Sequence, residues 1–212
     1  PVDGESDLRA KLRGLLVGML ALLGNDADAQ ARCRALVATE TDPELVAAAV
    51  NAIAAVGTDD DYDHYLQQFR SAANPQEQLR YMYALAEFPT REQIQRTIEL
   101  AFSDEVRTMN APFLLGRCIA NRWQGPLAWE AVRRRWDEAN AKFPNNTIAR
   151  MAESVKLLTA PALVADVQSF FAEHPIPQAV KTLDQILERQ RTNAALLARE
   201  SERLTALLSA RG

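Results

Sequence analysis

Asn121-Arg122-Trp123-Gln124-Gly125-Pro126-Leu127-Ala128-Trp129, continuing through Trp136 to Phe143, holds all three tryptophans of the chain. Gly125-Pro126 punctuates it. A glycine ends what precedes, and a proline with its fixed φ opens a helix at the first turn. Beyond it the apolar residues Trp129, Val132, Trp136, Ala139 and Phe143 recur at intervals of three and four. That spacing sets a heavy aromatic stripe on one face of a single helix. Polar residues fill the other face, with Glu130/Arg134 and Arg133/Asp137 as opposite charges four apart. Core packing is the plain reading of such a stripe, because aromatics dominate burial.

Outward from this stretch nearly every segment carries helical punctuation and none alternates as a strand does. Ser6 caps a first helix over 7–23, closed by Gly24, and a second runs from Asp26 to Ala38. Asp42-Pro43-Glu44 combines cap, first-turn proline and an acid at the positive end of the dipole, opening a third helix to Val56. A fourth begins at Asp59–Asp61 and carries Tyr62, Tyr65, Leu66 and Phe69. Asn74-Pro75 opens a fifth that reaches Phe88. Thr90 with Gln93 forms a capping box for a sixth. Pro112 opens a seventh, the tryptophan helix is eighth, and Asn145 or Asn146 caps a ninth. A tenth spans 161–172, and a last follows Pro177 as far as Leu208. The sum is about eleven helices, an all-α chain.

The first-turn prolines Pro43, Pro75 and Pro112 stand 32 and 37 residues apart. A period in the thirties built of helix pairs marks an α-α superhelix, here an irregular HEAT-like or armadillo-like one. No Gly-, Ser- or Pro-rich linker interrupts the chain, so residues 1–212 read as one helical-repeat domain. Residue 1 is Pro rather than Met, which makes the sequence read as a piece of a longer polypeptide.

Composition narrows the function. Hydrophobic residues make up 48% of the 212, enough for a core, and the net charge is −4. With an isoelectric point of about 5.3 the chain is a poor nucleic-acid binder. Its one basic run, Arg133-Arg134-Arg135, reads as a solvated face paired with acids. Leu15–Leu23 is the most apolar stretch and is too short to span a bilayer, so no membrane partner is expected. Abundant Arg and Ala suggest a bacterial cytoplasmic source. Cys33 and Cys118 sit among Ala, Leu and Val as buried thiols rather than a disulfide or a nucleophile.

Catalytic chemistry is hard to find. His64 and His174 are the only histidines, and neither has a second His four residues away, so the His-Glu-x-x-His zinc pair is absent. Asp59-Asp60-Asp61 with Asp63 lacks the Gly and closing Glu of a calcium loop and reads as an acidic helix start. Asn145-Asn146-Thr147 is a formal glycosylation sequon, relevant only to a secreted chain.

Five stretches, in order, carry a resemblance. They are Leu79–Ala86 (Leu-Arg-Tyr-Met-Tyr-Ala-Leu-Ala), Glu105-Val106-Arg107, Gly125-Pro126-Leu127-Ala128-Trp129 with its second Trp seven residues on, Val164–Phe171 (Val-Ala-Asp-Val-Gln-Ser-Phe-Phe), and the tail 187–208. Together they resemble the C-terminal helical domain of the aminopeptidase N family, which includes the puromycin-sensitive and endoplasmic reticulum aminopeptidases. Where that family often has Gln-Asp after the second element, this chain has Met109-Asn110. The resemblance implies a non-catalytic domain that walls or caps the substrate chamber of a zinc aminopeptidase and controls peptide access. Its partners would be the upstream catalytic domain of the same polypeptide and peptide substrates. No cofactor is expected in this chain, and zinc would belong to the catalytic domain. The turn Glu87-Phe88-Pro89-Thr90-Arg91 resembles one that looks towards the chamber, which makes Glu87 and Arg91 candidates to touch the distal part of a peptide. An ordinary exposed helix start with Thr90 as cap explains the same residues. A free-standing HEAT-like scaffold that binds a protein partner is the alternative for the whole chain, and an upstream His-Glu-x-x-His in the same reading frame would separate the two.

Overall fold

A computed structural model describes residues 4–39 and 42–210. Among them there are twelve α-helices and no strand: α1 (Asp7–Gly18), α2 (Ala27–Thr39), α3 (Pro43–Ala54), α4 (Asp59–Ser71), α5 (Pro75–Ala84), α6 (Arg91–Phe102), α7 (Ala111–Ala120), α8 (Gly125–Arg134), α9 (Trp136–Lys142), α10 (Asn145–Ala152), α11 (Pro161–Glu173) and α12 (Val180–Ser209). None of them is long and apolar enough to cross a membrane. The helices gather into two compact units, Pro1–Ile94 and Gln95–Gly212.

In the first unit α1 and α2 pack on α3, and α5 packs on α3 and α4. The caps do the work that the sequence assigns to them. The Asp42 carboxylate accepts from the backbone N–H of Glu44 at 2.9 Å and of Leu45 at 3.3 Å. Asn74 accepts from Glu77 N–H at 2.9 Å. The start of α4 is a full capping box, Thr58 with Asp61, which absorbs part of the acidic cluster. Three endings differ from expectation. Ser6 makes no side-chain cap bond. The first helix turns π-helical over Met19–Leu23, and the left-handed residue that ends it is Asn25 (φ 49) rather than Gly24. The fifth helix stops at Ala84 and continues to Glu87 as a 3₁₀ turn.

In the second unit α7 packs on α8 and α10, and α12 packs on α11 and α10. The tryptophan stretch is not one helix. It breaks at Arg135 (φ −107, ψ 23) into α8 and α9. Arg135 explains the break, since its guanidinium lies 3.6 Å over the centroid of the Phe102 ring and reaches Glu99 and Glu138. The stripe is nonetheless buried throughout, at Trp129, Val132, Trp136, Ala139 and Phe143. Trp123, outside the stripe, is 60% exposed. The start of α10 also differs, because neither Asn145 nor Asn146 caps it. The backbone carbonyl of Pro144 accepts from Thr147 N–H at 2.8 Å and from the Thr147 hydroxyl at 2.6 Å.

Candidate functional site: the turn into α6

The turn that carries Glu87 and Arg91 is held by an aromatic knot. Phe88 is fully buried, edge-on to Tyr62 (centroids 5.1 Å apart) and Tyr65 (5.5 Å), and Tyr65 is edge-on to Tyr81 at 5.1 Å. Edge-to-face geometry sets positive ring edges against negative faces, so these contacts are directional as well as apolar. The Tyr65 hydroxyl donates to the Val50 carbonyl at 3.0 Å, and burial pushes its pKa up. Phe88 seats this deeply because Gly57 has no side chain. A Cβ there would sit well inside van der Waals contact of Phe88 Cε1 and 3.1 Å from the Ile53 carbonyl oxygen.

The helix start is fixed just as firmly. Thr90 N–H donates to Gln93 Oε1 at 3.0 Å, and Gln93 N–H donates to the Thr90 hydroxyl at 3.3 Å. This is the capping box that the spacing predicts. The Gln93 amide, 1% exposed, also donates to Asp59 at 2.8 Å, which ties the start of α6 to the start of α4. Glu87 is half-buried at the end of the 3₁₀ turn, and Arg91 is exposed on the first turn of α6. The structure therefore puts the two candidates at the two ends of one well-braced turn.

Two clefts open elsewhere in this unit, and neither is lined by Glu87 or Arg91. One, of about 350 Å³, is bordered by Arg34, Asp61, His64, Tyr65, Gln68 and Tyr81. There Arg34 grips Asp61 with both ends of its fork, at 2.9 and 3.0 Å, and these bonds hold the Asp61 carboxyl down at about 2. The other, of about 490 Å³, lies between α1 and α2 and is largely apolar, with Arg13 and Arg32 at its edge.

In the second unit the tryptophan motif is structural. Asn121 accepts from the N–H groups of Trp123 and Gln124, each at 2.9 Å, and so shapes the entry to α8. Gly125 follows because a Cβ at that position would lie 2.5 Å from the Ile119 carbonyl oxygen. Trp129 and Trp136 then enclose Phe170 and Phe171 of α11, with centroids 5.2–5.7 Å apart. Trp129 Nε1 donates to Asp166 at 2.7 Å, and Arg133 takes the other Asp166 oxygen at 2.9 Å. Arg133 thus pairs with Asp166 and not with Asp137. Arg134 pairs with Glu130 at 3.1 Å and Arg135 with Glu138 at 2.7 Å, so the whole basic run faces carboxylates. Sequence reasoning overlooked Asp166. A signal was there: it precedes Phe170 by one helical turn and shares its face.

Comparison with known proteins decides the family. The description "ERAP1-like C-terminal domain" matches residues 1–192. The chain belongs to the ERAP1-like C-terminal domain family. Aminopeptidase M1-C of Oryza sativa subsp. japonica is 28% identical over 207 residues, covering 92% of this chain and 23% of its own length. Aminopeptidase M1 of Arabidopsis thaliana is 29% identical over 207 residues with the same two coverages, 92% and 23%. The chain therefore spans less than a quarter of the length of these relatives. They are plant proteins, which gives the expected bacterial source no support.

Donor chemistry in this ERAP1-like domain does not fit the zinc that the resemblance attaches to the parent enzyme. His64 is exposed on α4, and His174 is stacked on Phe170 at 4.2 Å with Nδ1 held 3.0 Å from the Phe170 carbonyl. Among the described residues no three His, Cys, Asp or Glu side chains come together as a metal site. Cys33 and Cys118 are both buried and form no disulfide, and burial pushes the Cys33 thiol up, away from the thiolate a ligand or nucleophile needs.

Proposed function

We propose that this chain is the non-catalytic C-terminal part of a longer zinc aminopeptidase, where it walls or caps the substrate chamber and controls which peptides reach the catalytic domain. The observation that carries this reading is the family match over residues 1–192, together with relatives named as aminopeptidases of which the chain covers 23%. Residues 1–212 act in it as one helical-repeat domain, the zinc stays with the catalytic domain, and the peptide is the shared ligand. Rigid helical surfaces suit the role, because a wall that excludes folded proteins needs little motion of its own.

Within this reading Glu87 and Arg91 touch the distal part of a long peptide. The support is the rigidity of their turn, with Phe88 locked in the aromatic knot and Thr90–Gln93 closing the helix start. A guanidinium on such a turn offers a directional contact to a peptide carboxylate. The test uses the full enzyme with peptides of increasing length. Arg91→Ala and Glu87→Ala should leave short substrates unchanged and lower kcat/KM for long ones by about tenfold, since remote binding energy then contributes at the transition state. Unchanged kcat/KM at every length removes both residues from the chamber.

A further inference from the structure

α1 and the π-helical turn that extends it carry their large side chains on the outside. Their sheltered face is made of Ala10, Gly14, Val17 and Ala21. It packs on α3 so closely that a Cβ on Gly14 would stand 3.0 Å from the Glu44 carbonyl oxygen. Opposite these small residues Leu8, Leu12, Leu15, Met19 and Leu23 follow one another at intervals of three and four, with Leu16 alongside, each 48–80% exposed. A helix that is apolar on two opposite sides belongs between two layers, whereas the outermost helix of a repeat array has a polar outer face. Arg9 borders the stripe on one side and Lys11 on the other. Both are exposed, and neither has an ion-pair partner among the described residues.

We propose, resting on the reading of this chain as the C-terminal part of a longer protein, that the α1 stripe seats an amphipathic helix of the same polypeptide. That helix comes from the part preceding residue 1, and its apolar face is bordered by acidic residues. The matched stretch is 23% of the length of the relatives, and the family description puts it at their C-terminal end, so most of their length precedes it. A segment arriving at residue 1 reaches the start of α1, which begins at Asp7. Tethered there, it meets the stripe at an effective concentration that a separate partner does not reach. Apolar residues at intervals of three and four form ridges that another helix packs against. An apolar patch of this extent marks a surface that another element covers. The cationic border sets the sign of that element's flanks, since like charges across the contact would repel and acids attract.

Measurements on the complete polypeptide that carries this chain test the seat. Peroxide converts Met19 to its sulfoxide at a rate set by access to the sulfur. In the native polypeptide that rate should be at least about tenfold below the rate in urea, because the preceding helix covers Met19. Equal rates mean an open stripe and overturn the proposal. A photoreactive benzoylphenylalanine in place of Leu15 should cross-link within one molecule. The captured peptide should precede residue 1, have apolar residues three and four apart, and carry Asp or Glu beside them. A cross-link to a second molecule, to residues 1–212 or to a preceding stretch without acids overturns the proposal as well. Arg9→Glu with Lys11→Glu should speed native Met19 oxidation about threefold, since like charges then face each other across the border. No change removes the acidic border. None of these readouts needs peptidase activity, so a polypeptide that cleaves no peptide yet shields Met19 defeats the proposed function and leaves the helix seat standing.

Discussion

Each of the two units is built round an aromatic knot, and the knots handle their polar atoms differently. In the first, Tyr62, Tyr65, Tyr81 and Phe88 meet edge to face, and the buried Tyr65 hydroxyl is spent on a backbone carbonyl. In the second, Phe170 meets Trp129, Trp136 and Phe171 edge to face, but the Trp129 N–H goes to a carboxylate that Arg133 also holds. The first knot, of four uncharged rings, depends on shape, above all on the space at Gly57. The second ties its packing to charge. Loss of a ring should therefore cost most in the second knot, and loss of a gap should matter most in the first.

The largest effect is expected at Trp129, which is 1% exposed. Trp129→Ala removes a full core aromatic and leaves Asp166 with Arg133 alone, so it should cost about 3–5 kcal/mol in a denaturant melt. Trp136→Ala, at a position 6% exposed, should fall in the same range of about 3–5 kcal/mol. Values below about 1 kcal/mol for both would mean that the stripe is not core, which would end the comparison.

Gly57→Ala comes next. The added methyl must displace Phe88, and nothing around Phe88 yields easily, because Tyr62 and Tyr65 brace its ring. Overpacking of this kind typically costs about 1–3 kcal/mol. The same substitution tests the candidate site, since a shifted Phe88 moves the turn between Glu87 and Arg91. A melt within about 0.5 kcal/mol of the wild type would show that the first knot is loose rather than shaped.

How far the sequence disclosed these two knots differs for a physical reason. The second was legible, because Trp129, Val132, Trp136, Ala139 and Phe143 repeat on one face, and periodicity reports a buried face even where the helix is interrupted. The interruption itself was not legible. Arg135 breaks the helix for the Phe102 ring and Glu99, more than thirty residues away in sequence, and local pattern carries no such distance. In the first knot Thr90 and Gln93 announced the start of α6 through their spacing, and the structure forms that capping box. The pairing of Gly57 with Phe88 lies across two helices, and Gly57 looked like an ordinary helix end. The three arginines 133–135 were correctly read as charge-paired, yet Arg133 chose Asp166 over Asp137, since a partner on another helix can outcompete one on its own.

The smallest effect concerns the ionic rim of the first knot, where Arg34 grips Asp61 beside Tyr65. Hydrogen bonds from Arg34 are the main cause that lowers the Asp61 pKa from 3.8 to about 2 in the folded chain, against a burial cost that raises it. A depressed acid contributes stability that is fully present above its unfolded pKa and lost as pH falls through the folded one. The loss should therefore occur between pH 3.8 and about 2. Arg34 is 47% exposed, so solvent screens the pair and the contribution should not exceed about 1 kcal/mol. Other carboxylates also titrate on acidification, so the comparison has to be made against Arg34→Ala, which removes this partner and leaves the rest. Urea melts at pH 5 and pH 2 should show the wild type losing up to about 1 kcal/mol more than Arg34→Ala over that interval. If both lose the same amount, the Arg34–Asp61 fork adds nothing to folding, and the first knot stands on shape alone. A larger loss in the wild type would give the neutral knot a charged support after all, and the two units would then differ less in how they are held than their aromatic centres suggest.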